Sequence, residues 1–285
     1  MGKVILADHA GFCFGVKRAI DKALNNYDET NVYTYGSLIH NKEVMKDIES
    51  RGIIKIDDIE EFEKLEKGII IIRSHGIAKK EEDKLKELGY KIIDTTCPYV
   101  KKIHKLVQKY SKDGYRVIIL GNKDHPEIKG IVGWCESEPI IISNIDEVDM
   151  LNEDRIKPYV IVAQTTFNLA KFTSIVEKIK KKLYNSSVLD TICSATEERQ
   201  MATRDVAKLV EVMIVIGDKS SSNTQKLYDI SSSECNETFF IQTASDMDFS
   251  KLVGKELVGI TAGASTPKNL IEEVMRECQK ILDKC

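Results

Sequence analysis

The feature that most constrains this chain is a phrase written three times: a short apolar strand, a turn, a cysteine, then a stripe with helical spacing. Its clearest copy is YKIIDTTCPYVKKIHKLVQKY, in which strand Lys91–Asp94 leads through Thr95 and Thr96 to Cys97 and Pro98. Proline suits the first position of a helix, where an N–H would lack a partner anyway, so Cys97 is expected at or beside the N-cap. Val100, Ile103, Val107 and Tyr110 then mark one helical face. The second copy is SVLDTICSATEERQMATRDVAKLV, with strand Val188–Asp190, Cys193, and a capping box of Ser194 and Glu197. A looser third copy, KVILADHAGFCFGVKRAIDKALNN, places strand Lys3–Asp8 before Cys13.

The copies stay in step beyond the cysteines. Each helix is followed by a strand ending in glycine, at Gly36, Gly121 and Gly217, which lie 23 or 24 residues past Cys13, Cys97 and Cys193. Polar loops follow (SLIHNKEVM, NKDHPEIKG, DKSSSNTQKL), and then a further strand with a second polar loop (IIIIRSHG, VIVAQTT, LVGITAGASTP). The period is about 96 residues, the size of a domain rather than of a solenoid repeat. Units over 1–96, 97–192 and 193–285 are expected. Strands alternating with helices predict α/β units with parallel sheets, whose ligands bind beyond the carboxyl ends of the strands. Three such units facing a common centre would bring all these loops into one cavity. Strand Lys3–Asp8 is assigned to the third unit, whose own segment otherwise ends on a helix. The acidic stretches DDIEEFEKLEKG, NIDEVDMLNEDRIK and DMDFSKLVGK are read as solvated connectors without function.

Bulk properties remove several function classes. A net charge of −3 over 285 residues gives no basic field for nucleic acid. No apolar run approaches the roughly 20 residues of a membrane span. Seven cysteines, an odd number without dense spacing, argue against a secreted disulfide scaffold. MGKVILAD enters a strand directly, without the pattern of a signal peptide. A cytoplasmic protein with reduced thiols is expected.

A thiol at a helix N-terminus meets unpaired N–H groups and the positive end of the dipole, which favours the thiolate. Three such thiolates suit a soft metal or an iron–sulfur cluster. A zinc site, or three unrelated buried cysteines, are the alternatives, although zinc sites are usually built from local C-x-x-C pairs and none is present. Cys135, Cys235, Cys278 and Cys285 have no counterparts in the repeat and are read as structural or incidental. His40, His75 and His125 fall in the polar loops; the matching places of the third unit hold Ser221, Ser222, Asn223 and Ser265, and the second unit adds Gln164-Thr165-Thr166. Hydroxyls, amides and imidazoles backed by helix N-termini make an anion pocket suited to phosphate. Glu127 is the one carboxylate in the set. It is either a proton donor, which would need its pKa raised by burial, or simply an acid in the first turn of a helix.

Together AGFCFGVKRAI, HNKEV, RSHG, DTTCPYV, GNKDHPE, AQTT, DTICSATEERQ, SSSNTQKLY and GITAGASTP resemble the hydroxymethylbutenyl diphosphate reductase family, from about residue 3 to the end. The resemblance implies a trefoil of three α/β units around a central [4Fe-4S] cluster held by Cys13, Cys97 and Cys193, with one iron lacking a protein ligand. It implies reduction of an allylic alcohol diphosphate to isopentenyl and dimethylallyl diphosphates plus water. His40, His75, Ser221, Ser222, Asn223 and Ser265 resemble the diphosphate-binding set, and His125 the histidine that also helps hold substrate. Glu127 resembles the proton source, with Thr165 in its relay. Electrons would come from a ferredoxin- or flavodoxin-like donor. Two positions depart from many relatives: Phe14 replaces a small residue after the first cysteine, and His9-Ala10 replaces a Pro-Arg pair. A cluster-bearing sensor without turnover and a zinc-dependent hydrolase are the competing readings.

Overall fold

A computed structural model of the chain describes residues 2–151 and 157–284. In chain order the principal elements are β1 (Lys3–Leu6), α1 (Phe14–Leu24), β2 (Val32–Tyr35), α2 (Lys42–Ser50), β3 (Ile54–Ile56), β4 (Ile69–Ile72), α3 (Lys79–Glu87), β5 (Lys91–Asp94), α4 (Pro98–Lys112), β6 (Arg116–Leu120) and α5 (Pro126–Val132). They continue with β7 (Ile140–Ile142), β8 (Tyr159–Ala163), α6 (Leu169–Lys182), β9 (Ser186–Val188), α7 (Ser194–Ala207), β10 (Val212–Ile216), α8 (Ser222–Glu234), β11 (Thr238–Ile241), β12 (Leu257–Ala262) and α9 (Lys268–Leu282).

The strands form three parallel four-stranded sheets, ordered β3-β2-β4-β5, β7-β6-β8-β9 and β11-β10-β12-β1. The class is therefore α/β, with three similar small sheets. In each sheet one of the two central strands is apolar and buried along its whole length: IIII of β4, YVIVA of β8 and VMIVI of β10. A parallel strand with helices on both faces needs such a continuous Ile/Val run rather than alternation. The N-terminal strand pairs with β12, Lys3 opposite Leu257 through Leu6 opposite Ile260, so it completes the third sheet as expected.

Two details of the sequence reading change. A fourth, short edge strand (β3, β7, β11) was not anticipated, because three or four residues are too few to show periodicity. The acidic connectors are not wholly solvated: Phe62, Val148 and Leu252 each point into a core at full burial. One part of the second connector, residues 152–156, lies outside the described residues, as does Cys285.

Packing divides the chain into two bodies. Met1–Lys17, His40–Val44 and Ser194–Cys285 form one, built on the third sheet; Arg18–Ile39 and Met45–Cys193 form the other, which holds the first two sheets.

Candidate active site

In the larger body, the motif Asp-Thr-x-Cys explains itself. Asp94 Oδ1 accepts the N–H of Thr96 at 2.8 Å, and Asp190 Oδ1 accepts that of Ile192 at 3.3 Å, each closing an Asx turn. The threonine hydroxyls donate sideways to the last carbonyl of the neighbouring strand, Thr95 to Ile72 and Thr191 to Ala163. The cysteine N–H groups then donate to the adjoining loops, Cys97 to Ser74 O at 2.9 Å and Cys193 to Thr165 O at 3.2 Å. Each thiol is thus fixed at the end of an edge strand and immediately before a helix. Cys97 is the N-cap of α4, with Pro98 following it. Helix α7 opens at Ser194 itself, one residue earlier than a Ser194 capping box requires, and this puts Cys193 in the place that Cys97 has. Both thiols are half-buried and outside any disulfide.

The same body contains Glu127, the second residue of α5. Its carboxylate is buried, at 2% exposure, and takes two bonds from one residue: Thr165 N–H to Oε1 at 2.7 Å and Thr165 Oγ1–H to Oε2 at 2.8 Å. Burial pushes its pKa up to about 7, against the two Thr165 bonds, which pull it down. Thr165 also holds the Cys193 N–H, so acid and thiol share one positioning residue. His125 caps α5 by accepting the Glu127 N–H on Nδ1 at 3.1 Å. That bond places the ring proton of a neutral His125 on Nε2. The His75 ring stands edge-on to His125, centroids 5.4 Å apart.

His104, absent from the sequence-based candidates, supports this loop from beneath. It stacks on Trp134, centroids 5.1 Å apart, and burial pulls its pKa down to about 4, which keeps it neutral. Gly76, the residue after His75, has φ +73, and a Cβ there would lie 2.7 Å from His104 Cε1. Arg73 Nε donates to the Gly76 carbonyl at 3.3 Å, so the cation beside the loop is spent on its geometry. A buried His on an apolar helical stripe gives little sequence signal of such a role.

In the smaller body, Cys13 directly precedes α1 and its N–H donates to Ala264 O at 3.1 Å, the counterpart of the Ser74 and Thr165 contacts. Its turn lacks the Asp-Thr lock. The buried Arg199 of α7 substitutes, donating from Nε to His9 O at 2.8 Å and from Nη2 to Gly11 O at 2.9 Å. His9 has φ +63, a conformation closed to proline, whose φ is held near −65°. A Pro-Arg pair at His9-Ala10 therefore requires a different backbone course here. Phe14 is 71% exposed.

Ser221 caps α8 by accepting the Thr224 N–H at 3.3 Å, and Ser222 and Asn223 open that helix. Asn223 is buried, yet neither its amide oxygen nor its nitrogen has a partner among the described residues. Buried amides are seldom left without a hydrogen-bond partner. Ser265 donates its hydroxyl to the His40 carbonyl at 2.8 Å, and Asp218 accepts the Lys42 N–H at 3.1 Å and the Ser220 N–H at 2.9 Å. The His40 and Ser220 loops are thereby tied together by a buried aspartate that sequence reading did not single out. Cys235 and Cys278 are buried, and burial pushes the Cys278 and Cys135 thiols up to about 12, as befits inert packing groups.

An α/β chain with thiols and an acid fixed at parallel-strand ends is matched over residues 4–279 by the family model described as LytB protein, and the chain belongs to that family. Its named relatives are reductases, which makes it an oxidoreductase. It is 45% identical over 283 residues, 98% of this chain and 97% of the other, to the 4-hydroxy-3-methylbut-2-enyl diphosphate reductase of Caldanaerobacter subterraneus subsp. tengcongensis. It is 40% identical over 289 residues, 99% and 98%, to that of Aquifex aeolicus. The solved E-1-hydroxy-2-methyl-but-2-enyl-4-diphosphate reductase from Plasmodium falciparum has the same fold, with a TM-score of 0.90 and 31% identity, over 99% of this chain and 87% of that one. Among the described residues no helix is long and apolar enough to cross a membrane.

Proposed function

We propose that the chain reduces (E)-4-hydroxy-3-methylbut-2-enyl diphosphate to isopentenyl and dimethylallyl diphosphates. Two electrons and two protons enter, the allylic C–O bond breaks, and water leaves. The observation that carries this reading is the Glu127–Thr165–Cys193 arrangement: a buried carboxyl with a pKa of about 7 bonded to the residue whose carbonyl accepts the Cys193 N–H.

The donor set fits an iron–sulfur cluster. Cys13, Cys97 and Cys193 are outside any disulfide, each directly precedes a helix, and each has its N–H anchored to a loop residue two positions past a central strand. These three would hold a [4Fe-4S] cluster, which when bound would supply the electrons of the reduction. The rest falls to the chain's own side chains. Asn223, Ser221, Ser222 and Ser265 receive diphosphate oxygens at the start of α8, where the N–H groups and dipole favour an anion. His40 and His75 add donors to the same group, and His125 offers its Nε2–H to the substrate. Glu127, near half-protonated at neutral pH, delivers a proton toward the leaving oxygen, and the Thr165 hydroxyl orients that carboxyl.

The test is iron and sulfide quantitation on anaerobically purified protein, followed by an assay with the allylic diphosphate and reduced viologen. The proposal expects about four irons per chain for such a cluster and viologen oxidation only with that substrate. Cys97→Ser should lose the cluster or most activity, whereas Cys135→Ser should be nearly neutral. Colourless protein after reconstitution, or equal effects of the two substitutions, would overturn the assignment.

A further inference from the structure

We propose that the exposed face of α4 is the docking surface for an acidic one-electron carrier protein, a proposal that rests on the reductase reading and adds the place where its electrons arrive. Helix α4 has five lysines and no carboxylate in its 15 residues, in a chain whose net charge is −3. Of its apolar stripe, Ile103 and Val107 pack into the second sheet's core and Val100 is buried. Its other side lines an open groove of 480 Å³ with Lys101, Lys102, Lys105, Lys109, Leu106 and Arg18.

Three of the charges there, Lys102, Lys105 and Lys109, pair with no carboxylate among the described residues. Lys101 pairs with Asp94, and Arg18 donates to the carbonyls of Thr95 and Thr96 at 3.3 and 3.1 Å; those two cations build the floor. Among the described residues Lys102 and Lys105 have no carboxylate partner, and Lys109 lies over the Tyr110 ring at 5.6 Å. A cationic stripe on an otherwise acidic chain raises the local concentration of an acidic partner and its rate of encounter.

Position gives the surface its meaning. The stripe begins one turn from Cys97, the N-cap of the same helix. With a rise of about 1.5 Å per residue, Lys101 and Lys102 lie roughly 6–8 Å along the axis from the thiol and Lys109 roughly 18 Å. Exposed Tyr99, at 41%, and half-buried Leu106 give the patch apolar contact area between the charges, as transient interfaces need. Two carriers, each losing one electron, serve one substrate.

The experiment uses the cluster-loaded enzyme and its charge-reversed variant Lys102→Glu/Lys105→Glu/Lys109→Glu. A reduced acidic ferredoxin is the protein donor and methyl viologen the small one; ferredoxin binding is also followed directly by calorimetry. The expected result is a loss of about 10-fold or more in the ferredoxin-driven rate and affinity, with a flattened salt dependence and unchanged viologen-driven turnover. Unaltered ferredoxin binding in the variant overturns the proposal, as does an equal loss with both donors, which would mean damage to the helix. A parent enzyme inert with viologen and substrate would instead defeat the reductase reading, while the binding measurement still decides the surface.

Discussion

Helices α5 and α8 leave equivalent strands, β6 and β10, of different sheets, and each is capped by the residue before it, His125 or Ser221. The second helical position is buried in both, yet it holds Glu127 in one and Asn223 in the other. Around Glu127 the neighbouring loop supplies Thr165, whose N–H and hydroxyl satisfy the carboxylate. The matching position of the third sheet is Ala264, which has no hydroxyl, and Asn223 keeps both amide atoms unpaired among the described residues. One backbone arrangement therefore yields two chemistries: a carboxyl satisfied within the chain and poised near neutrality, and a neutral donor–acceptor pair to which we assign a ligand. The difference lies in two side chains, not in the fold.

Exchanging those side chains breaks the comparison in a graded way. Glu127→Gln keeps the shape and the Thr165 N–H bond, with its NH2 donating to Thr165 Oγ1 in place of the bond it loses, but removes the acid proton, so turnover should fall ~10²-fold or more, the scale of a missing general acid, while substrate affinity holds; equilibrium binding beside turnover separates the two. Asn223→Ala should do the reverse. Losing a hydrogen bond to a charged group costs about 1.5–3 kcal/mol, so KM should rise roughly 10- to 100-fold with little change in kcat, and Asn223→Asp should raise it further by repulsion. Should either variant show the other's signature, α5 and α8 do not divide the work as proposed.

Smaller effects sharpen the picture. Thr165→Val removes a bond that pulls the Glu127 pKa down, so the descending limb of the turnover–pH profile should move above about 7, with a several-fold change in rate. The last effect concerns stability. A carboxyl whose pKa is raised from 4.5 to about 7 by folding stabilises the native state most below pH 4.5, and that contribution is lost as pH rises toward 7. Melting temperature should decline over that window in the parent and decline less in Glu127→Gln; identical slopes would place the titration on another group.

Much of this was legible in the sequence because local chemistry and global position coincide. Asp-Thr-x-Cys reads as a turn before a helix, and the structure shows where each letter falls: Asp94 closing the turn, Thr95 locking it to Ile72, Cys97 at the N-cap position of α4. The Cys13 copy looked loose because its lock is remote, Arg199 arriving from 190 residues away to hold His9 O. Asp218 and His104 were missed for the same reason: a positioning residue is defined by a partner that only folding brings near. Strand ends were misjudged where edge pairing decides them. β9 pairs from Ser186, opposite Tyr159, and so stops at Val188, before the predicted Val188–Asp190.

The most direct test is the pH dependence of single-turnover reduction in the cluster-loaded parent and in Glu127→Gln. A buried proton donor predicts a parent rate that falls as pH rises through about 7, and a variant rate that is at least ~10²-fold slower and flat across the same range. A variant that keeps the parent's rate and profile would contradict the assignment of Glu127 as the acid.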